Sequence, residues 1–404
     1  NMPTSAQGRS RYGSGREVSM MSATLRWLKR LALGMLAAIV IAAIVIAVTP
    51  QGRTGVKTAL FLPQILPEFP VKPQEWFTGT PTRQNVSYPI ASGSGNADVY
   101  VPASDGLHSA VLLFLGVNPA GRDDPRVVGL AEGLARSGVV VMIPWSDTMT
   151  QQRISVGDVD NLVYAFQYMI GLDVVDAEKA GMGGFCVGAS FATVAAQDFR
   201  IRDQVKFVNF FGGYYNARDL VASVVTSTRF DAGNTEPWSP DSLSTQVIRR
   251  HLIEGVRDRN EQSMLSQEFI DRTASLNAPM IEALSPDAKV VYDLLNEKDV
   301  VQARKLVEAL PASALATLNA ISPITNIENL NARVLIMHDR EDALVPSEES
   351  RRLADSLAPQ GNVYHTEFSL FRHLDPTRAV SPPIYVKELW KLYLHMYNVL
   401  RELS

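Results

Sequence analysis

The sequence predicts an α/β architecture: a mostly parallel sheet with helices on both faces, a helical cap inserted late in the chain, and one N-terminal transmembrane helix. Three observations predict it. From residue 86 onward, short apolar runs of strand type alternate with amphipathic helical runs, the pattern of a parallel sheet covered on both sides. The alternation stops for about a hundred residues, 216–325, which read as helical only, and then resumes. Ahead of all this, Leu31 to Val48 is an unbroken apolar run, which as a helix reaches roughly 27 Å, the thickness of a hydrocarbon core.

Composition sets the limits. The 404 residues are 46% hydrophobic and 20% charged, ample for a large core and too apolar for a disordered chain. At ~150 residues per domain the length allows two or three domains, although one decorated α/β domain absorbs much of it. The net charge of −4 comes from 38 basic and 42 acidic residues, with no long basic run after residue 30, so a nucleic-acid partner is not expected. A single cysteine excludes an intrachain disulfide, a multi-cysteine zinc site and a cysteine-ligated cluster. Cys186 is therefore either an inert core residue or a reactive one.

In chain order, residues 1–25 are rich in Ser, Gly and Arg and read as a disordered basic tail. Residues 26–48 read as a transmembrane anchor. Arg9, Arg11, Arg16, Arg26, Lys29 and Arg30 precede the apolar run and only Arg53 and Lys57 follow closely. This bias predicts a cytoplasmic N-terminus and an extracytoplasmic C-terminal domain. A cleaved signal peptide has the same basic flank, but usually a shorter apolar run and a small-x-small exit, which Ile46-Ala47-Val48-Thr49-Pro50 matches poorly. Residues 49–85 hold Pro50, Pro63, Pro67, Pro70, Pro73 and Pro81 and should not form one helix. Phe61, Leu62, Ile65, Leu66, Phe69, Trp76 and Phe77 in this stretch need burial, and packing on the following domain is expected ahead of a membrane interface.

Val86–Ile90 and Ala97–Val101 read as a hairpin turning at Ser92-Gly93-Ser94-Gly95. Strands are then expected at Ala110–Leu115, Val139–Ile143, Ala180–Phe185 and Val205–Phe211, with helices at Pro125–Ser137, Asp158–Ile170 and Val187–Gln197. Residues 86–215 and 326–404 would form one domain. The second part is expected to supply strands Arg333–Met337 and Val363–Phe368 and helices Ser347–Leu357 and Ile384–Leu400. Helical runs at Ser244–Arg257, Glu261–Ala274, Ala288–Leu294 and Val300–Leu310 make residues 216–325 a cap or lid over the strand ends, with a second structural domain or an oligomer contact as the alternative.

The chemistry centres on Gly184-Phe185-Cys186-Val187-Gly188, between a predicted strand and a predicted helix. With 26 glycines in 404 residues, glycine at both flanking positions is rare by chance. In a G-x-nucleophile-x-G turn the glycines are required because a side chain there would collide with the neighbouring strand or helix. The turn lifts the sulfur to the sheet edge at a helix N-terminus, whose partial positive charge favours an anion. An acid and a base should follow, each after a later strand. Asp342, ahead of Val345-Pro346, is the best acid, with Asp339 and Glu341 competing. His373, in the loop after the last strand, is the base. His108, His251, His365 and His395 fall on the wrong side or within regular elements, and His338 is expected to order the acid loop. No two histidines have the helical zinc spacing, so neither a metal nor another cofactor is expected.

Together these features resemble the α/β-hydrolase superfamily, and the cysteine makes the chain similar to dienelactone hydrolases. The resemblance covers about residues 86–215 and 326–400. It implies a Cys186, His373, Asp342 triad that hydrolyses an ester, lactone or thioester through an acyl-enzyme. Where that family carries a glutamate after its third strand, this chain reads Phe114-Leu115-Gly116-Val117-Asn118. The oxyanion is expected to meet the backbone N–H of Val187 and one from Val117 or Asn118, although Asn118 could equally shape the turn at Pro119-Ala120-Gly121. Trp145, Tyr214 and Tyr215 fall at the same predicted edge as candidate pocket residues, or as core. The substrate would be a small molecule. Two other readings stand beside hydrolysis: acyl transfer to an acceptor other than water, and a catalytically silent domain serving as a membrane-tethered binding or assembly subunit.

Overall fold

A computed structural model describes residues 14–66, 69–231, 233–373 and 378–404. The chain divides into two compact units at Val56 and Lys57. In the first, α1 (Ser14–Val48) contains a stretch, Lys29–Ile46, with mean hydropathy 2.2. Its apolar side chains, Leu33, Met35, Ile39 and Ile41 among them, are exposed. Of the segment expected to be a disordered tail, residues 1–13 lie outside the described residues and 14–25 form the first turns of this helix. No glycine or proline interrupts residues 16–33. Once the apolar run has nucleated a helix, extending it is easier than starting one.

The proline-rich stretch folds into α2 (Pro50–Ile65) and α3 (Gln74–Phe77), and the first strand already begins before residue 86. Pro50 opens α2, where the missing N–H is harmless, and Pro63 falls in the last turn. The carbonyls left free there are met by Lys72, whose Nζ donates to Pro63 O at 2.6 Å and to Gln64 O and Leu66 O at 3.3 Å. Phe61 and Leu66 are buried in the core, and Leu62, Ile65 and Phe69 pack against it. Trp76 and Phe77 are 69% and 73% exposed, so the expected packing on the domain does not extend to them.

The second unit carries an eight-stranded sheet. Strands β1 (Thr82–Ile90) and β2 (Gly93–Val101) form the expected hairpin, longer at both ends, with Ile90 paired to Gly93 across a tighter turn than expected. Then come β3 (His108–Phe114), α4 (Pro125–Arg136), β4 (Val139–Pro144), α5 (Asp147–Thr150), α6 (Gly157–Ile170), β5 (Val175–Phe185), α7 (Val187–Ala195), β6 (Phe207–Phe211) and α8 (Ala217–Thr226). The segment expected to be purely helical also contains a hairpin, β7 (Thr228–Asp231) and β8 (Asn234–Pro237), which its polar, short strands hid from a periodicity reading. Helices α9 (Ser242–Glu254), α10 (Arg259–Phe269), α11 (Ala278–Glu282), α12 (Pro286–Asn296), α13 (Val300–Glu308) and α14 (Ala312–Ala320) complete the insertion. The chain closes with β9 (Arg333–Asp339), α15 (Ser347–Leu357), β10 (Val363–Phe368) and α16 (Pro382–Glu402).

The sheet order is β1-β2-β4-β3-β5-β6-β9-β10. All pairings from β4 to β10 are parallel, and β1 and β2 run antiparallel to their neighbours. This is the α/β-hydrolase fold. Alternation along each strand separates two cores: Ala110, Leu112 and Phe114 face one, Val111 and Leu113 the other. The first contains α6, α7 and α15, and it continues without a break into Leu252, Leu265, Val291, Leu294 and Val307 of the insertion. The second takes α4, α16 and the end of α2. Gly133 of α4 lets α2 come close, because a β-carbon there would lie 2.9 Å from Gln64 Cγ and 3.1 Å from the Phe61 ring. Phe61→Ala should therefore destabilise the protein by about 3–5 kcal/mol, and Trp76→Ala by less than about 0.5 kcal/mol, in denaturant titrations.

Candidate active site

The turn between β5 and α7 is built as its glycines require. Cys186 sits at φ 54, ψ −136, a region costly for a residue with a side chain. Its N–H donates to Phe211 O at 2.9 Å, and its own carbonyl accepts from Ala189 N at 2.9 Å. A β-carbon on Gly184 would lie 2.3 Å from Gly188 O, and one on Gly188 would lie 2.3 Å from Phe114 O. Both clashes are with backbone, which has no flexible end to move aside. A third glycine, Gly116, belongs to the same crowding: at φ +67, its β-carbon would meet Gly188 N at 2.7 Å and Phe185 O at 2.9 Å. The signal for it was a glycine directly after the buried β3 run.

Asp342 and His373 come together beyond β9 and β10. Their Oδ2 and Nδ1 lie 2.6 Å apart. Asp342 is buried, and its Oδ1 accepts from Leu344 N at 2.7 Å and Val345 N at 3.2 Å. His338 Nε2 is 3.3 Å from the same Oδ2 and 3.0 Å from Val345 O, while its Nδ1 meets Ser350 Oγ, so this histidine orders the acid loop. The competitors have other roles. Glu341 is exposed. Asp339 is buried, accepts from Glu341 N at 2.9 Å and Phe371 N at 2.8 Å, and pairs with Arg378 at 3.0 Å, which ties the histidine loop to the end of β9. Residues 374–377, next to His373, lie outside the described residues.

The electrostatics follow from burial and proximity. Burial alone would raise the Asp342 pKa, but His373 and then His338 hold it well below the usual carboxylate range. Burial alone would lower the His373 pKa, yet Asp342 first and Cys186 second lift it well above its ordinary value. The His373 Nε2 is buried with no hydrogen-bond partner among the described residues. His373 itself has φ 57, and Gly212 at φ +64 leaves room for the ring: a β-carbon there would lie 3.2 Å from His373 Cε1 and 3.4 Å from Asp342 Oδ2. The Gly212-Gly213 pair after β6 was a legible cue that the sequence reading passed over.

The remaining candidates divide. Val187 is the first residue of α7, where backbone N–H groups lack helical partners. Val117 follows Gly116 and is partly buried. The Asn118 side chain closes its own turn, accepting from Ala120 N and donating to Gly121 O, each at 3.2 Å. Trp145 lines a small pocket with Gly116, Asn118 and Met149. Tyr214 and Tyr215 do not line it. Both are buried in the core, where the Tyr214 hydroxyl donates to Ile321 O at 3.1 Å and the Tyr215 N–H donates to Glu349 Oε2 at 2.8 Å. Gly212, at φ +64, breaks the chain just after β6, a change no periodicity reports. Away from the site, His395 is buried between Thr366 and Asn209, and burial together with His365 pushes its pKa down to about 3.

No family model matches the sequence. Over 253 residues, 62% of this chain and 69% of the relative, it is 25% identical to the acyltransferase drtE of Aspergillus calidoustus. Among solved structures, the acylaminoacyl peptidase of Pyrococcus horikoshii is similar with a TM-score of 0.47 and 13% identity, over 80% of this chain and 42% of that one. The esterase of the archaeon Pyrobaculum calidifontis is similar with a TM-score of 0.45 and 13% identity, over 88% and 93%. The chain thus spans less than half the length of the peptidase.

Two outcomes follow from this geometry. Gly188→Ala, forced against the Phe114 carbonyl, should lower stability by about 3 kcal/mol or more in urea titration. The pH dependence of stability has a definite sign. Because the folded pKa of His373 is raised, its contribution is complete below its ordinary value near 6.5 and is lost as pH rises through the elevated value. Asp342, with a lowered pKa, contributes throughout that window. The difference in thermal midpoint between wild type and His373→Gln should therefore shrink as pH rises from the ordinary histidine range into the alkaline range; a difference constant with pH contradicts the charged pair.

Proposed function

We propose that the protein is a membrane-anchored acyl-transferring hydrolase with a thiol nucleophile, acting on small esters, lactones or thioesters. Cys186 at the strained glycine turn, beside the buried pairing of His373 with Asp342, is the observation that carries this reading. His373 takes the thiol proton, the Cys186 sulfur attacks the acyl carbon, and the leaving group departs with a proton from the imidazolium. Water, deprotonated by His373, then attacks the thioester and releases the acid and the thiol. Asp342 holds the imidazole tautomer and balances its charge. Backbone N–H groups of Val187 and of Val117 or Asn118 stabilise the oxyanion, each donor typically contributing ~3 kcal/mol. Trp145 forms the wall of the acyl pocket, and the helical insertion serves as its lid.

The apolar helix supports anchoring through residues 31–48, with the basic flank in the cytoplasm and the catalytic domain outside. Transfer to an acceptor other than water is the second reading, favoured by the likeness to a fungal acyltransferase; the two share every step up to the thioester.

Incubation with p-nitrophenyl acetate and intact-mass analysis tests the shared step. An acetyl adduct should appear on wild type and be absent from Cys186→Ala. Asp342→Asn should slow its formation by roughly 10⁴-fold, as loss of the orienting carboxylate does in comparable triads. No adduct on Cys186 would overturn the reading.

A further inference from the structure

Resting on the assignment of residues 116–118 to the oxyanion loop, we propose that Asp98 is a positioning residue: one buried carboxylate that sets the loop and the pocket wall at a fixed separation. Asp98 lies on β2, outside the triad, and is fully buried. Arg122, from the loop after β3, donates to its Oδ1 at 2.5 Å. Arg83 and the Trp145 indole N–H donate to its Oδ2 at 2.8 Å and 2.9 Å. The two oxygens therefore hold different parts of the site.

The loop is fastened along its length. Gly116 is wedged under the Cys186 turn, and the Asn118 side chain closes the turn to Gly121. Asp123 then pairs with Arg83 at 2.8 Å, and Asp124 caps α4. Arg122 connects the loop directly to the group that also holds the pocket wall, and Arg83 adds a second link, pairing with Asp123 and donating to Arg122 O at 3.3 Å while it holds Asp98. Trp145 is fixed twice, by its backbone N–H to Asn96 O at 3.0 Å and by its indole to Asp98. It faces Gly116 and Asn118 across the small pocket, so the Asp98 carboxylate links the wall to the oxyanion side.

The physics makes this arrangement sensitive to charge. Asp98→Asn would leave the guanidiniums of Arg83 and Arg122 facing each other without the negative charge between them, and would turn one amide N–H toward a donor. The loop and Trp145 would separate. A displacement of about 1 Å at catalytic groups can cost on the order of a hundredfold in rate, while Cys186, His373 and Asp342, held by other contacts, would keep their places.

The test compares two reactions of Cys186 in the full-length protein. Acylation by p-nitrophenyl acetate needs the oxyanion donors; alkylation by iodoacetamide does not. For Asp98→Asn, acylation should slow by on the order of tenfold or more while alkylation stays within about twofold. Arg122→Gln cuts the direct loop tether and leaves the Arg83 link, so it should show the same split to a smaller extent, and it serves if Asp98→Asn fails to fold. Arg122→Lys, which keeps the charge, should recover part of the acylation rate. Unchanged acylation overturns the positioning role, as does a parallel fall in both reactions, which a merely structural ion pair would produce. If wild-type Cys186 takes no acyl group, the thiol reading itself fails and the role of Asp98 fails with it.

Discussion

The site depends on a steric constraint at one turn. For the chain to leave β5 and enter α7 within a single residue, Cys186 must adopt a positive φ, and three neighbouring positions must lack a β-carbon. Gly184 and Gly188 meet each other and the Phe114 carbonyl; Gly116 meets the backbone of Gly188 and Phe185. The crowding joins the nucleophile turn to the loop after β3. At Gly116 the loop after β3 and the Cys186 turn are thus packed backbone against backbone.

Asp342 and His373 are held from two sides. From the sheet, His338 and Asp339 reach the acid loop and the histidine loop, so the end of β9 fixes both. From the insertion, the Trp238 indole donates to Asp342 O at 2.8 Å, Asp241 N–H to Ala343 O at 2.6 Å, and Ser244 Oγ to Leu344 O at 2.7 Å. Three consecutive carbonyls of the acid loop are met by the β7–β8 hairpin and the start of α9. The insertion shares the core of the sheet and also carries hydrogen bonds that shape the Asp342 loop. Motion of the hairpin would be felt at Asp342 directly.

Much of this was legible along the chain because parallel strands buried on both faces are continuous apolar runs. Ala110–Leu115 and Val139–Ile143 are such runs and were placed to within a residue or two. The glycine-flanked turn at Cys186 is local, and the loops that carry Asp342 and His373 follow strands, so their pairing was foreshadowed by position. What escaped has a common cause. Gly116, Gly212 and Asp98 matter through residues far away in sequence: Gly188, His373, Arg122 and Trp145. Asp98, a charge between Ala97 and Val99 in an otherwise apolar strand end, was the visible irregularity, but its partners were not. The β7–β8 hairpin is polar and short, with no period to detect.

The sequence by itself determined the strands of the sheet, the apolar N-terminal helix and the glycine-flanked turn at Cys186, because each rests on short-range physics: hydrophobic period, length, and the steric demands of one tight turn. Only the tertiary structure decided between Asp342, Asp339 and Glu341, sent Tyr214 and Tyr215 into the core, and gave Asp98 its three donors. Those outcomes depend on which groups are brought together out of water, where a carboxylate must find partners or lose its charge, and that is a property of packing that no stretch of chain contains.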